Sequence, residues 1–238
     1  MKLDILAIGA HPDDVELSCS GTLLKHIALG KKCGIVDLTR GELGTRGSAA
    51  LRKQEAVRAA KILGISVRDN LNMADGFFVN DKKHLLALVK KIRQYQPEII
   101  LCNAVTDRHP DHGRAAQLVS EACFYSGLIK IETTVNSKKQ TAWRPKAVYH
   151  YIQDRQLKPD FVVDITAFMD KKMEAIKAFQ SQFYNPNSKE APTPISTKNF
   201  FDLVKGKMTV FGRDAGFDYA EGFTVERSMG INNLFDIK

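Results

Sequence analysis

Leu3-Asp4-Ile5-Leu6-Ala7-Ile8-Gly9-Ala10-His11-Pro12-Asp13-Asp14 is the stretch on which the reading of this chain turns. Its first part is a short apolar run, and Leu3 to Ile8 reads as a buried strand. Its second part sets one imidazole and two carboxylates side by side. Pro12 restricts the residue before it to extended geometry, so a strand ending here holds His11 outward while Asp13 and Asp14 begin the next turn. A second cluster, His109-Pro110-Asp111-His112, follows a second apolar run, Glu98 to Asn103. We expect the two clusters to meet in space.

Outward from these stretches, short apolar runs alternate with longer segments of helical period, the signature of a parallel sheet with crossover helices. The expected fold is therefore α/β: a mostly parallel sheet flanked by helices, in a single domain over 1–238. A helix from Val15 to Leu29 is expected after the first strand, with Gly30 at its end. Cys33 to Leu38 is a second strand. The loop Thr39 to Gly47 carries Gly41, Gly44 and Gly47 and opens into a helix from Ser48 to Leu63. Val67 to Met73 is a third strand, with Asp75-Gly76 as a turn. Asp81 is placed to cap a helix reaching Tyr95. Pro110 suits the first position of a helix that begins at His109. Strands are expected at Lys146 to Ile152 and Phe161 to Asp164, helices at Thr166 to Phe179 and around Phe200 to Val204, and a surface loop at Tyr184 to Thr197.

The bulk numbers narrow the class. At 238 residues, 44% hydrophobic and 26% charged, the chain has the make-up of a globular enzyme able to bury a full core. No run is long enough for a membrane span. The first apolar segment is short and contains Asp4, unlike a signal peptide, so a cytoplasmic protein is expected. Cys19, Cys33, Cys102 and Cys123 stand singly, without a CxxC pair, and read as buried free thiols. The net charge of +8 raises nucleic acid as a partner. The basic residues are nevertheless spread among acids, and even the densest stretch, Lys130 to Lys158, matches no nucleic-acid module. A solvated surface or an anionic small substrate accounts for the charge.

In open parallel sheets, ligands bind beyond the carboxyl ends of the strands, and both clusters stand at such ends. A catalytic zinc takes three protein ligands from His and carboxylate and leaves a position for water. His11, Asp14 and His112 fit that count. Asp13 is left over beside them, placed to act as general base. With His112 on the metal, His109 can face the reacting centre and assist the developing oxyanion, while Asp111 holds its tautomer. Mixed His and carboxylate ligands also accept divalent ions other than Zn²⁺.

The pair Ala10-His11-Pro12-Asp13-Asp14 and His109-Pro110-Asp111-His112 resembles the two signature motifs of the PIG-L, or LmbE-like, zinc N-acetylglucosaminyl deacetylases. Thr39-Arg40-Gly41-Glu42 and Leu51-Arg52-Lys53-Gln54-Glu55 resemble that family too. The end segment, from Gly212-Arg213 to Tyr219-Ala220-Glu221-Gly222-Phe223, looks most like the bacillithiol-biosynthesis deacetylases, which act on N-acetylglucosaminyl malate. The resemblance implies a Rossmann-like fold, zinc on His11, Asp14 and His112, Asp13 as base, and His109 oriented by Asp111. It also implies substrate contacts from Arg52 and Arg108, a small acetylated and anionic sugar as substrate, and assembly of several copies. By itself Arg52 reads as a surface ion pair with Glu55 or Glu42. The loop glycines lack the spacing of a nucleotide-binding motif and are expected to let backbone pass close to substrate. Tyr219 and Glu221 are expected either to line a pocket or to support a subunit contact.

Overall fold

β1 (Ile5–Gly9) is buried at every residue, as a strand must be when both faces of its sheet are covered. The computed structural model describes residues 1–236. After β1 come α1 (Asp14–Ser18), α2 (Ser20–Ala28) and β2 (Cys33–Thr39), then α3 (Ala49–Leu63), β3 (Val67–Met73), α4 (Lys82–Tyr95), β4 (Ile99–Cys102) and α5 (Pro110–Ser126). A small hairpin, β5 (Thr134–Val135) and β6 (Lys138–Lys139), leads to β7 (Ala147–Tyr151) and β8 (Phe161–Asp164). α6 (Met169–Lys177), α7 (Phe200–Arg213) and β9 (Ala220–Val225) follow.

The main sheet has seven strands in the order β3-β2-β1-β4-β7-β9-β8. All pairings from β3 across to β7 are parallel, and β9 lies antiparallel between β7 and β8. The sheet is thus mostly parallel, as expected. The chain winds outward from β1 to β3 and then returns to β4 on the other side of β1. This reversal opens a crevice beyond the carboxyl ends of β1 and β4. His11 and His109 lie in the segments leaving those two strands.

Alternate residues of β1 point to opposite faces. Leu6 and Ile8 join Leu88, Val89, Ile92, Leu118 and Val119 on the α4–α5 side. Ile5 and Ala7 join Val15, Leu23, Ile35 and Phe223 on the other. Several ends follow local chemistry: Ser48 accepts a hydrogen bond from the Leu51 N–H, Asp81 accepts one from the His84 N–H, and Gly64 closes α3 at φ 74°. All four cysteines are buried and free. No helix among the described residues is long and apolar enough to cross a membrane.

Two helices depart from expectation. The one expected from Val15 to Leu29 breaks at Cys19, whose φ is −141°. Glu221 of β9 accepts the Gly21 and Thr22 N–H groups at the start of α2 (2.9 and 2.7 Å). Lys172 of α6 donates to the Glu16 and Leu17 carbonyls at the end of α1 (3.0 and 2.7 Å). The partners that stabilise the break come from far along the chain, so local periodicity gives no sign of it. The helix expected from Thr166 instead opens with a 3₁₀ turn, Thr166–Phe168, before α6.

Candidate active site

The two clusters meet. His11 follows β1, and its N–H donates to Asp14 Oδ2 at 2.9 Å, closing the turn into α1. His109 caps α5, and Asp111 and His112 fall in that helix's first turn. The ring centroids of His11 and His109 are 4.6 Å apart, those of His11 and His112 5.6 Å, and those of His109 and His112 5.2 Å. One buried amide joins the two strand ends: Asn103 accepts the Ala10 N–H at 2.9 Å and donates to Asp14 Oδ2 at 3.0 Å.

Asp14 Oδ1 stands 3.1 Å from His112 Nε2, and Asp14 Oδ2 stands 3.6 Å from His11 Nδ1. The opposite nitrogen of each ring meets a carboxylate. His112 Nδ1 is 2.5 Å from Asp107 Oδ2, while His11 Nε2 is 3.0 Å from Asp75 Oδ1 and 3.3 Å from Asp111 Oδ2. A carboxylate behind each imidazole fixes its tautomer and turns the other nitrogen inward, the usual support for a metal-ligating histidine. This donor set suits a divalent cation. Among the described residues, the groups whose donor atoms all lie within 4.8 Å of one another are His11, His109 and His112, and His11, Asp75 and Asp111. Asp14 is in neither group. Its Oδ1 is also approached by Gln153 Nε2 at 3.2 Å, and that amide nitrogen lies 3.4 Å from His112 Nε2.

Asp75, Asn103, Asp107 and Gln153 complete the site and were not singled out from sequence. Only Asp107 carried a local signal, as an acid just before the second cluster. Asp75 read as a turn residue, and Gln153 becomes significant only because β7 ends beside β4.

Other assignments change in place or partner. The Asp111 carboxylate does not orient His109. It accepts from the Gly76 N–H (2.8 Å) and Arg114 Nη1 (2.6 Å) and faces His11, while the Asp111 backbone N–H donates to His109 Nδ1 at 3.2 Å. The first turn of α5 points this side chain toward the neighbouring strand end. Arg52 is no surface pair with Glu55 or Glu42. It is buried, and its Nη2 donates to Asp13 Oδ2 at 3.1 Å. Arg108 is exposed and paired with Asp154. Gly41 makes room for a side chain of this protein: a Cβ there would lie 1.7 Å from Arg52 Nη1. Glu221 neither lines a pocket nor faces solvent, being fully buried against Lys172.

The charges act on one another. Burial disfavours a charged His11, yet Asp111, Asp14 and Asp75 together hold its pKa well above the ordinary imidazole value. His112, also against burial, is raised by Asp14 and Asp107 to about 9. His109 is lowered by burial and by the other two imidazoles. Burial pushes the Asp13 carboxyl up to about 6, with Arg52 pulling it down and Asp14 adding to the rise. Asp13 also adopts φ 117° and ψ −23°, a conformation that side chains other than glycine rarely hold. Such strain persists where surrounding structure enforces it.

The family described as GlcNAc-PI de-N-acetylase (PIG-L) matches residues 6–123, a span holding both clusters. A diacetylchitobiose deacetylase of Thermococcus kodakarensis is 29% identical over 92% of this chain and 81% of that relative. A 4-oxalmesaconate hydratase of Pseudomonas putida is 30% identical over 74% of this chain and 73% of the relative. A probable N-acetyl-alpha-D-glucosaminyl L-malate deacetylase of Bacillus anthracis is 27% identical over 75% and 81%. Among solved structures, a conserved protein from Thermus thermophilus superposes with a TM-score of 0.85 at 32% identity, covering 97% of this chain and 98% of the other. The particular kinship to the bacillithiol deacetylases expected from the end segment narrows to the family, because the diacetylchitobiose relative matches more of the chain at higher identity.

Proposed function

Because this chain belongs to the GlcNAc-PI de-N-acetylase (PIG-L) family, we propose that it removes the acetyl group from an N-acetylglucosaminide, releasing acetate and a free amine. The observation that carries this reading is the meeting of His11, Asp14 and His112, with Asp13 next to Asp14 in the same turn and its carboxylate held by Arg52. His11, Asp14 and His112 would hold the ion, proposed to be zinc. The chemistry supplied there when a divalent ion is bound is polarisation of the amide carbonyl and a water made acidic near neutral pH. Asp13 takes the proton from the attacking water. His109 faces the same chamber and donates to the developing oxyanion or the leaving nitrogen. Asp107, Asp75 and Asp111 hold the two imidazoles in place.

N-acetylglucosaminyl malate is the proposed substrate, with Arg108 at the exposed rim as a contact for a malate carboxylate. Diacetylchitobiose, a neutral disaccharide, is the alternative within the same chemistry. The hydratase relative supports one reading of another class, the addition of water to a carbon–carbon double bond at the same ligands. The deciding experiment measures acetate release from the malate glycoside, diacetylchitobiose and N-acetylglucosamine, with and without chelator and added zinc. Chelator-sensitive acetate release supports deacetylation, and preference for the malate glycoside supports the narrower proposal. No acetate from any of the three, with hydration of an unsaturated diacid, overturns both.

A further inference from the structure

Asp13 is held by one side chain. Among the described residues, Arg52 Nη2 makes the only side-chain hydrogen bond to its carboxylate, at Oδ2. With no second side chain bonded to it among the described residues, the direction of this carboxylate depends on that contact. Arg52 is in turn held by two groups: its Nη1 donates to the Gly41 carbonyl at 3.3 Å, and its Nη2 donates to Gln182 Oε1 at 2.7 Å. The Gln182 bond is the shorter, and it lies on the same nitrogen that reaches Asp13.

Gln182 is itself fixed. It is buried, and its Nε2 donates to the Arg46 carbonyl and to Ser181 Oγ, both at 2.8 Å. The Ser181 N–H and Oγ donate to Glu55 of α3, at 2.8 and 2.7 Å. Two glycines leave space for this arrangement. A Cβ at Gly41 would strike Arg52, and one at Gly47 would lie 2.7 Å from Ser181 Oγ. Both have positive φ, 64° and 72°. The loop 41–47, helix α3 and the segment 181–183 thus converge on one guanidinium, whose free direction is toward Asp13.

We propose that Gln182 is a positioning residue for the reaction: its amide oxygen fixes the Arg52 guanidinium, and Arg52 holds the Asp13 carboxylate by Oδ2 with Oδ1 turned to the chamber. The inference rests on the reading of Asp13 as proton acceptor. It also gives Arg52 a different task from the substrate contact implied by the family resemblance. A hydrogen bond to a charged donor is among the stronger kinds, and leaving that donor short of an acceptor lets the guanidinium turn.

The test uses the metal-loaded enzyme and whichever N-acetyl sugar the wild type hydrolyses. Gln182→Met is expected to lower kcat about 10-fold, with KM within about 2-fold and metal content unchanged, a size set by one charge-assisted hydrogen bond. Gln182→Glu keeps the acceptor for Nη2 but gives up the Nε2 donations to Arg46 and Ser181, and is expected to retain more of kcat than Gln182→Met. In an Arg52→Ala background, Gln182→Met should change kcat less than about 2-fold, because the two act through one contact. Unchanged kcat in Gln182→Met, a loss confined to KM, or additive losses would overturn the proposal. Crystal structures of the wild type and Gln182→Met supply a readout independent of turnover. Asp13 is expected to leave Arg52 in the variant, and an unmoved Asp13–Arg52 pair counts against the inference. A wild type that hydrolyses no N-acetyl sugar would sink the functional reading, while the crystallographic comparison would still decide the positioning role.

Discussion

Two buried clusters of charge share the segment that leaves β1, and they are built on different terms. The first contains His11, Asp13 and Asp14. The second begins two residues on, at Glu16, which meets Arg68 Nη1 at 2.5 Å; Arg68 also forks onto both oxygens of Asp37, at 2.8 and 2.9 Å. Lys172 continues that second cluster with three acceptors: the Glu16 and Leu17 carbonyls and Glu221. There each cation is met by oxygen, and among the described residues of that cluster Glu16 Oε2 alone lacks a partner. In the first cluster, by contrast, Asp13, Asp14, Asp75, Asp107 and Asp111 face the guanidinium groups of Arg52 and Arg114 and three imidazoles. Most of those carboxylates meet titratable imidazoles, an arrangement that suits a cation, whereas in the second cluster Glu16, Asp37 and Glu221 pair with the fixed cations Arg68 and Lys172 and serve as internal scaffolding. Burial of charge therefore does not mark a functional site; the kind of partner each carboxylate meets does.

The comparison is most sharply tested at Asp13. Asp13→Ala is expected to lower turnover by about 10²–10⁴-fold, the range for losing a general base, with metal content unchanged by elemental analysis. Full activity in that variant would remove Asp13 from the chemistry. In the second cluster, Lys172→Met is expected to cost about 3–5 kcal/mol in denaturant unfolding, because it strands a buried carboxylate. Lys172→Met combined with Glu221→Gln should restore part of that stability, since no buried charge is left unpaired and the amide oxygen still accepts from the start of α2. A double variant no more stable than the single one would contradict the scaffolding role.

A smaller effect is expected behind the histidines. Asp107→Ala should weaken divalent-ion affinity about 10–100-fold, as for other carboxylates behind a ligating imidazole, measured by competition with a chromogenic chelator. Unchanged affinity would separate Asp107 from the ligand set. The lower end of the scale is a half-buried group on β3 and α4. There burial opposes ionisation of Asp69, but hydrogen bonds from Lys91 and Tyr95, at 2.6 and 2.5 Å, hold its carboxyl below the usual range. A depressed carboxyl adds stability above its unfolded pKa of about 3.9, and that stability is lost as pH falls through the folded value. Asp69→Asn should cost less than about 1 kcal/mol at pH 7 and flatten the fall in stability below about pH 4. An unchanged acid limb would show that the pair contributes nothing.

Much of this architecture is legible along the chain because its signals are local. The apolar run before His11 marks β1, Ser48 and Asp81 mark helix starts through their own side chains, and Pro110 marks the first turn of α5. The break at Cys19 is not legible, because Lys172 and Glu221 stabilise it from α6 and β9. Arg52 misleads for a similar reason. Its sequence neighbours Glu42 and Glu55 suggest a surface pair, while the fold turns it inward past Gly41 to Asp13.

By itself the sequence determined the mostly parallel α/β plan, the two strand-end clusters and the residue types proposed to hold and assist a metal. Hydrophobic period and turn chemistry act over a few neighbouring residues, and that range suffices for those features. Which carboxylate serves which imidazole was decided only by tertiary structure. His11 has Asp13 and Asp14 beside it in the chain, yet its outer nitrogen is held by Asp75 and Asp111, and Asp111 serves His11 instead of its near neighbour His109. Hydrogen bonds reach about 3 Å and require direction, so their pairing depends on how β1, the turn after β3 and the start of α5 are set against one another in space.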